Sequence, residues 1–170
     1  MHGKLLVRIW PMPIVLVFLA IFILYEVGFR INITSSMPIG LYLLCEAKDL
    51  KNDDLVAVKL PPEQLSLGLE RGYIKTKDTI LVKQLIALPG DKVLYKDKQI
   101  TVNGIFVYKC SATAKDGQGR NMNPLKEGIY TLGDNEYWVL GKNDDSWDSR
   151  YFGLIERKTL INRVKLILAF

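Results

Sequence analysis

Ser36, in the run Thr34-Ser35-Ser36-Met37-Pro38, and Lys83, in Thr79-Ile80-Leu81-Val82-Lys83-Gln84-Leu85-Ile86-Ala87-Leu88, are the residues of this 170-residue chain whose types could carry out nucleophilic chemistry together. A serine hydroxyl needs a base beside it to attack a carbonyl, and the one histidine, His2, precedes a long apolar segment. That excludes a Ser-His-Asp arrangement and leaves a Ser-Lys one open. A lysine is a base only when neutral, whereas a solvated lysine, with a pKa near about 10.4, is charged at pH 7. Complete burial lowers that value by up to about 3–5 units. If residues 80–88 form a strand, its period of two places Leu81, Lys83, Leu85 and Ala87 on one face, so Lys83 points where its apolar neighbours point. A single lysine in an apolar run also suits a sheet edge, where charge blocks further pairing. Ser36 alone, ahead of Met-Pro, reads as an ordinary turn serine.

A third cluster is Gly141-Lys142-Asn143-Asp144-Asp145-Ser146-Trp147-Asp148-Ser149-Arg150-Tyr151-Phe152-Gly153. Polar density of this kind between two apolar runs suits a functional loop on a rigid scaffold, and equally a solvated turn with local Asp and Ser hydrogen bonds. In the functional reading, the Ser146 hydroxyl could hold the lysine amine in line, and Asp148 with Arg150 could form an ion pair that fixes the loop.

The elements that must position these residues read as mainly β. Short runs rich in β-branched residues, separated by turn signals, predict strands over 40–44, 55–60, 80–88, 92–95, 99–102, 105–108, 130–132, 137–141 and 161–168. Asn103-Gly104 predicts a type I′ hairpin. Residues 62–69 read as a short helix, with proline at its start and Gly72 beyond its end, and 111–126 as a loop.

Ahead of this domain, no charged residue occurs between Arg8 and Glu26. That uncharged stretch, which holds the almost entirely large and apolar run Ile14-Val15-Leu16-Val17-Phe18-Leu19-Ala20-Ile21-Phe22-Ile23-Leu24-Tyr25, is near the short end of what spans a bilayer core. Glu26-Val27-Gly28-Phe29-Arg30 offers no small-x-small cleavage site, so an uncleaved anchor is expected. The expected organisation is a cytoplasmic tail (1–9), a transmembrane anchor (10–29) and one extracytoplasmic domain (30–170). An extended chain covers at most about 25 Å between Phe29 and Ser36, which keeps the serine near the bilayer surface.

Lysine and arginine number 23 against 18 acidic residues, dispersed rather than striped, so nucleic acid is not an expected partner. One histidine and two scattered cysteines make no metal cluster, and no cofactor is expected. Cys45 and Cys110 either form a disulfide outside the cytoplasm or serve as small buried hydrophobes. Nothing in the sequence sets the oligomeric state.

In this order the segments resemble the type I signal peptidase family, membrane-anchored serine peptidases with a Ser-Lys dyad. The matching pieces are Ser36-Met37-Pro38, Asp54-Leu55-Val56-Ala57-Val58, Lys83 through Leu88-Pro89-Gly90-Asp91-Lys92-Val93, and Ser146-Trp147-Asp148-Ser149-Arg150-Tyr151-Phe152-Gly153. Asn32 through Tyr42 and Arg71-Gly72-Tyr73 are similar to the TraF subgroup, conjugation peptidases that mature a pilus subunit for type IV secretion. The resemblance implies a signal-peptidase-like antiparallel β domain behind one N-terminal transmembrane helix, on the periplasmic side of a bacterial inner membrane. It implies Ser36 as nucleophile and Lys83 as general base, within hydrogen-bond reach of each other. The Ser36 N–H and the Thr34 hydroxyl would form the oxyanion hole, Ser146 would orient the amine, and Asp148 and Arg150 would support the loop. Implied partners are membrane lipid and a protein substrate, a pilin precursor or, alternatively, secretory preproteins; a non-catalytic secretion component is the reading outside enzymes. Gln84 and Lys142 stand where housekeeping members carry arginine and aspartate, so the ion pair of that pattern is not expected here.

Overall fold

The computed structural model of the protein describes residues 12–109 and 112–170. Helix α1 (Met12–Val27) opens them, and none of its side chains is buried. It has 16 residues, and among the described residues no helix is long and apolar enough to cross a membrane. Gly28, at φ +106°, ends it, and Phe29, which the sequence assigns to the anchor, instead opens strand β1 (Phe29–Asn32). Glu26 and Arg30 flank the junction, and Gly28 marks the change from helix to strand.

The rest is mainly antiparallel β. The strands are β2 (Gly40–Glu46), β3 (Leu55–Lys59), β4 (Ile80–Ala87), β5 (Lys92–Lys96), β6 (Gln99–Val102), β7 (Ile105–Lys109), β8 (Gly128–Thr131), β9 (Glu136–Leu140), β10 (Ile155–Glu156) and β11 (Leu160–Ala169). They form a seven-stranded sheet in the order β1-β2-β11-β3-β4-β9-β10 and a four-stranded sheet in the order β7-β6-β5-β8. Helix α2 (Pro62–Glu70) follows β3, and the single-turn helix α3 (Ser149–Phe152) lies between β9 and β10. Asn103 and Gly104 have φ of 52° and 81° between β6 and β7, the pair of positive values a type I′ turn requires.

Strand β4 positions the chemistry. It lies inside the large sheet, between β3 and β9, so Lys83 is not an edge lysine. Register pairs Val56 with Lys83, Val58 with Leu81 and Leu85 with Val139, so β-branched and leucine side chains surround the lysine on its face. Val56, Val58, Leu85, Val139, Ile155 and Leu160 are all at most 3% exposed and pack as one core, each contributing about 1.5–3 kcal/mol by burial. The opposite face of the sheet carries Tyr42, Ala57 and Val164, also buried, with Val82 against them. A second core, around Val93, Ile100 and Trp138, joins the small sheet to the end of β4 at Ile86 and Ala87. Cys45 is half-buried on β2; its possible partner Cys110 lies outside the described residues.

Candidate active site

Lys83 is 2% exposed, and burial, partly offset by the Asp148 carboxylate and reinforced by the Arg150 guanidinium, lowers its pKa from 10.5 to about 8. Its amine donates to the Ser146 hydroxyl at 2.7 Å. Ser36 and Lys83 line one cavity of about 410 Å³, with Thr34, Ser146, Trp147 and Tyr151 among its other walls. The direct Ser36–Lys83 hydrogen bond expected from the sequence is not formed: the neighbour of Ser36 Oγ is Thr34 Oγ1 at 3.5 Å, while the amine is engaged by Ser146. Such contacts commonly tighten only when substrate closes the site.

The turn carrying Ser36 is built by Asn32, a residue the sequence reading missed. Its Nδ2 donates to the carbonyls of Thr34, Met37 and Pro38, and its Oδ1 accepts from the Thr34 N–H and hydroxyl. Asparagine two residues ahead of a threonine, leading into a turn, is the local signal that could have found it. Because the Thr34 hydroxyl already donates to Asn32 at 2.8 Å, it must rotate to serve an oxyanion. Tyr42 completes the turn, donating its hydroxyl to the Pro38 carbonyl at 2.6 Å.

Residues 141–150 fold around a buried ion pair. Asp148 and Arg150 are both 0% exposed. Asp148 accepts from the Gly141 N–H at 2.8 Å and from Arg150 Nε and Nη2, each at 2.8 Å. The guanidinium then donates to the carbonyls of Asn143, Asp144 and Ser146. Every polar group of the pair is thereby satisfied, the condition under which a buried ion pair is tolerated. The loop reaches the Ser36 turn through Lys142 N–H to the Ser36 carbonyl at 2.7 Å and Asn143 Nδ2 to the Ser35 carbonyl at 3.2 Å. Gln84, in place of the housekeeping arginine, donates to Asp53 at 2.8 Å.

Gly141 has no room for a side chain: a Cβ there would fall 1.9 Å from Ser146 Oγ and 3.1 Å from the Ser36 carbonyl oxygen. Gly141→Ala must therefore push Ser146 off the lysine. A displacement of about 1 Å in a catalytic constellation costs on the order of 10²-fold, so kcat/KM should fall by about that factor, measured by single-substrate cleavage kinetics.

The far wall of the cavity comes from Thr113, Asp116, Gly117 and Met122 of the 112–126 loop. Asp116 accepts from the Tyr73 hydroxyl at 2.6 Å and from Arg120 Nε at 2.6 Å, and these hold its carboxyl well below the usual carboxylate range. The Thr113 N–H donates to the Tyr151 hydroxyl at 2.8 Å. The Tyr73–Asp116 and Thr113–Tyr151 contacts span 43 and 38 positions of sequence, and no local pattern announces them.

The geometry is that of an antiparallel β scaffold holding a serine and a buried, readily neutralised lysine in one cavity. Family comparison agrees: the profile described as signal peptidase, peptidase S26, matches residues 3–169, so the chain belongs to the signal peptidase family of serine peptidases. It is 30% identical over 155 residues to plasmid transfer protein TraF of Escherichia coli, covering 86% of each chain. It is 34% identical over 134 residues to signal peptidase IB of Staphylococcus aureus strain COL, covering 68% of each. A solved signal peptidase I from Enterococcus faecalis aligns with a TM-score of 0.43 and 22% identity, over 68% of this chain and 97% of that one.

Proposed function

We propose that the protein is a membrane-anchored serine endopeptidase that processes a pilin precursor for conjugation, with Ser36 as nucleophile and Lys83 as general base. The observation that carries this reading is Lys83: buried, with a pKa near 8, bonded to Ser146, and sharing a cavity with Ser36. Neutral Lys83 takes the Ser36 proton as Oγ attacks the scissile carbonyl and returns a proton to the leaving amine; water then hydrolyses the acyl-enzyme on Ser36. The Ser36 N–H, with a rotated Thr34 hydroxyl, supplies the oxyanion donors. Ser146 orients the amine, and Asp148 with Arg150 fixes the loop that carries it. Similarity to TraF proteins supports the pilin substrate and a place in conjugative transfer.

The anchor reading is supported by the uniformly exposed apolar side chains of α1. A periplasmic domain seated on the bilayer is supported by exposed apolar residues beside the nucleophile turn. Ile31 and Leu168 both lie opposite Leu41, and the Phe170 N–H donates to the Ile39 carbonyl at 2.9 Å. Ile33 is 74% exposed and Phe170 72%. The likeness to signal peptidase IB favours a second reading, a general signal peptidase. Incubating the detergent-solubilised protein with pilin and secretory precursors decides between them, since the first reading requires a preference for pilin.

Two results test the mechanism. Ser36→Ala should abolish cleavage, and full activity in that variant would end the reading. In the wild type, kcat/KM should rise about tenfold per pH unit as Lys83 loses its proton and level off above about pH 8. A profile flat from pH 6 to 9 would remove Lys83 as the base.

A further inference from the structure

A second concavity lies on the other face of β4. Arg30, Ile31 and Asn32 of β1 line it together with Ile80 and Val82 of β4, over a floor of Tyr42, Leu44, Ala57 and Val164. Strands β1 and β4 stand four places apart in the sheet, so only a strongly coiled sheet brings their residues to one groove of about 180 Å³. Two groove residues, Asn32 and Tyr42, are the ones whose side chains bind the nucleophile turn. A chain held in the groove is thereby registered against Ser36. β1 is the edge of the sheet and leaves one row of its backbone groups open to such a chain.

The groove carries one charged residue, Arg30, among mostly apolar side chains and the polar Asn32 and Tyr42. Arg30 lies opposite Tyr42 in the β1–β2 register, half-buried. Its guanidinium stacks on the Tyr25 ring at 3.6 Å, and Nη1 donates to the carbonyls of Tyr25 and Phe29 at 2.7 and 2.8 Å. The stack and these two bonds fix the group, while Nε and Nη2 donate to nothing among the described residues. A fixed guanidinium with an unused donor pair is suited to bidentate capture of a carboxylate.

We propose that Arg30 is a specificity-determining residue: it selects a substrate with a glutamate or aspartate close to the scissile bond, its side chain entering the groove. This rests on Ser36 being the nucleophile beside that groove. A side chain of one substrate residue fits the volume, and the tie from groove to nucleophile turn favours a peptide over a lipid headgroup as the source of the anion.

The test uses the full chain in detergent micelles and alanine-rich peptides in which a single Glu, Gln or Lys is walked along the sequence. Binding is read on Ser36→Ala by fluorescence anisotropy, and cleavage on the wild type. At one position Glu should bind about tenfold more tightly than Gln, and Lys more weakly than either. Arg30→Gln should erase that preference, and Arg30→Glu should invert Glu against Lys. Equal binding of the three peptides at every position, or an unchanged Glu preference in Arg30→Gln, would overturn the proposal. So would a loss in Arg30→Gln confined to binding of phosphatidylglycerol vesicles over phosphatidylcholine ones, which would assign Arg30 to lipid. Cleavage by Ser36→Ala would instead remove the nucleophile, and the binding arm would still decide the role of Arg30.

Discussion

Lys83→Met should abolish cleavage and at the same time make the protein more stable. The loss of the base is expected to cost at least about 10³-fold in kcat/KM, since a positioned general base is worth roughly 10²–10⁴-fold and acts here with its nucleophile as a unit. The stability gain follows from linkage. The pKa of Lys83 is lowered on folding from 10.5 to about 8, so the unfolded chain binds more protons than the native one between those values. Native stability therefore rises with pH across that window. Below about pH 8 the charged amine is present in both states, and the full penalty for burying it is felt. At about 1.4 kcal/mol per pKa unit this is about 3 kcal/mol. Methionine fills a similar volume without the charge but leaves the Ser146 hydroxyl without its donor, returning roughly 1 kcal/mol. The net expectation is a gain of about 2 kcal/mol at pH 7 that disappears by about pH 10.5, read by urea unfolding at both pH values. Equal stability of variant and wild type at pH 7 would mean that the lysine carries no such penalty.

Asp148→Asn should be among the most damaging single substitutions in the protein. It leaves the guanidinium of Arg150, 0% exposed, without a countercharge. Breaking a buried pair by removing one partner costs about 3–5 kcal/mol, a large share of the 5–15 kcal/mol that typically holds a domain together. The damage reaches the chemistry because the same pair holds the Gly141 N–H and the carbonyls of Asn143 and Ser146. Asp148→Asn combined with Arg150→Met should recover only part of the lost stability, because the stranded charge is gone but the carbonyls of Asn143, Asp144 and Ser146 lose their donor. Asp148 raises and Arg150 lowers the Lys83 pKa, so removing both should leave the pH profile of any residual activity rising toward about 8. Thermal unfolding of the two variants gives the first comparison; a native Tm for Asp148→Asn alone would contradict it.

What the sequence reveals and what it hides follow a physical line. Alternation over residues 80–88 was enough to put Lys83 on an apolar face, and the strands carrying the two cores were readable from the same periodicity. Asn103-Gly104 announced its hairpin because the backbone demands positive φ there. Strand β1 was hidden because four residues directly after the helix are too few to set a period against it. The two-residue β10 and the four-residue α3 are too short to show a period. The site was legible as residue types in order, with the Ser146–Lys83 bond and the Asp148–Arg150 pair expected, while its other contacts were not. That Ser146 rather than Ser36 holds the Lys83 amine depends on Gly141 lacking a side chain, and that Asn143 ties the loop to Ser35 depends on chain closure over 108 positions. Neither leaves a local pattern.

Strand β4 presents Leu81 and Lys83 to one concavity and Ile80 and Val82 to the other. Because neighbouring side chains leave a strand on opposite faces, a substitution at Ile80 or Val82 reshapes what the groove accepts without touching the lysine or its bond to Ser146. Under the proposed reading, selectivity and reactivity are written on alternate letters of one eight-residue word, so point mutations would change what the groove accepts while leaving the chemistry intact. The converse also holds: an insertion or deletion of one residue within the strand would exchange the two faces and destroy both at once.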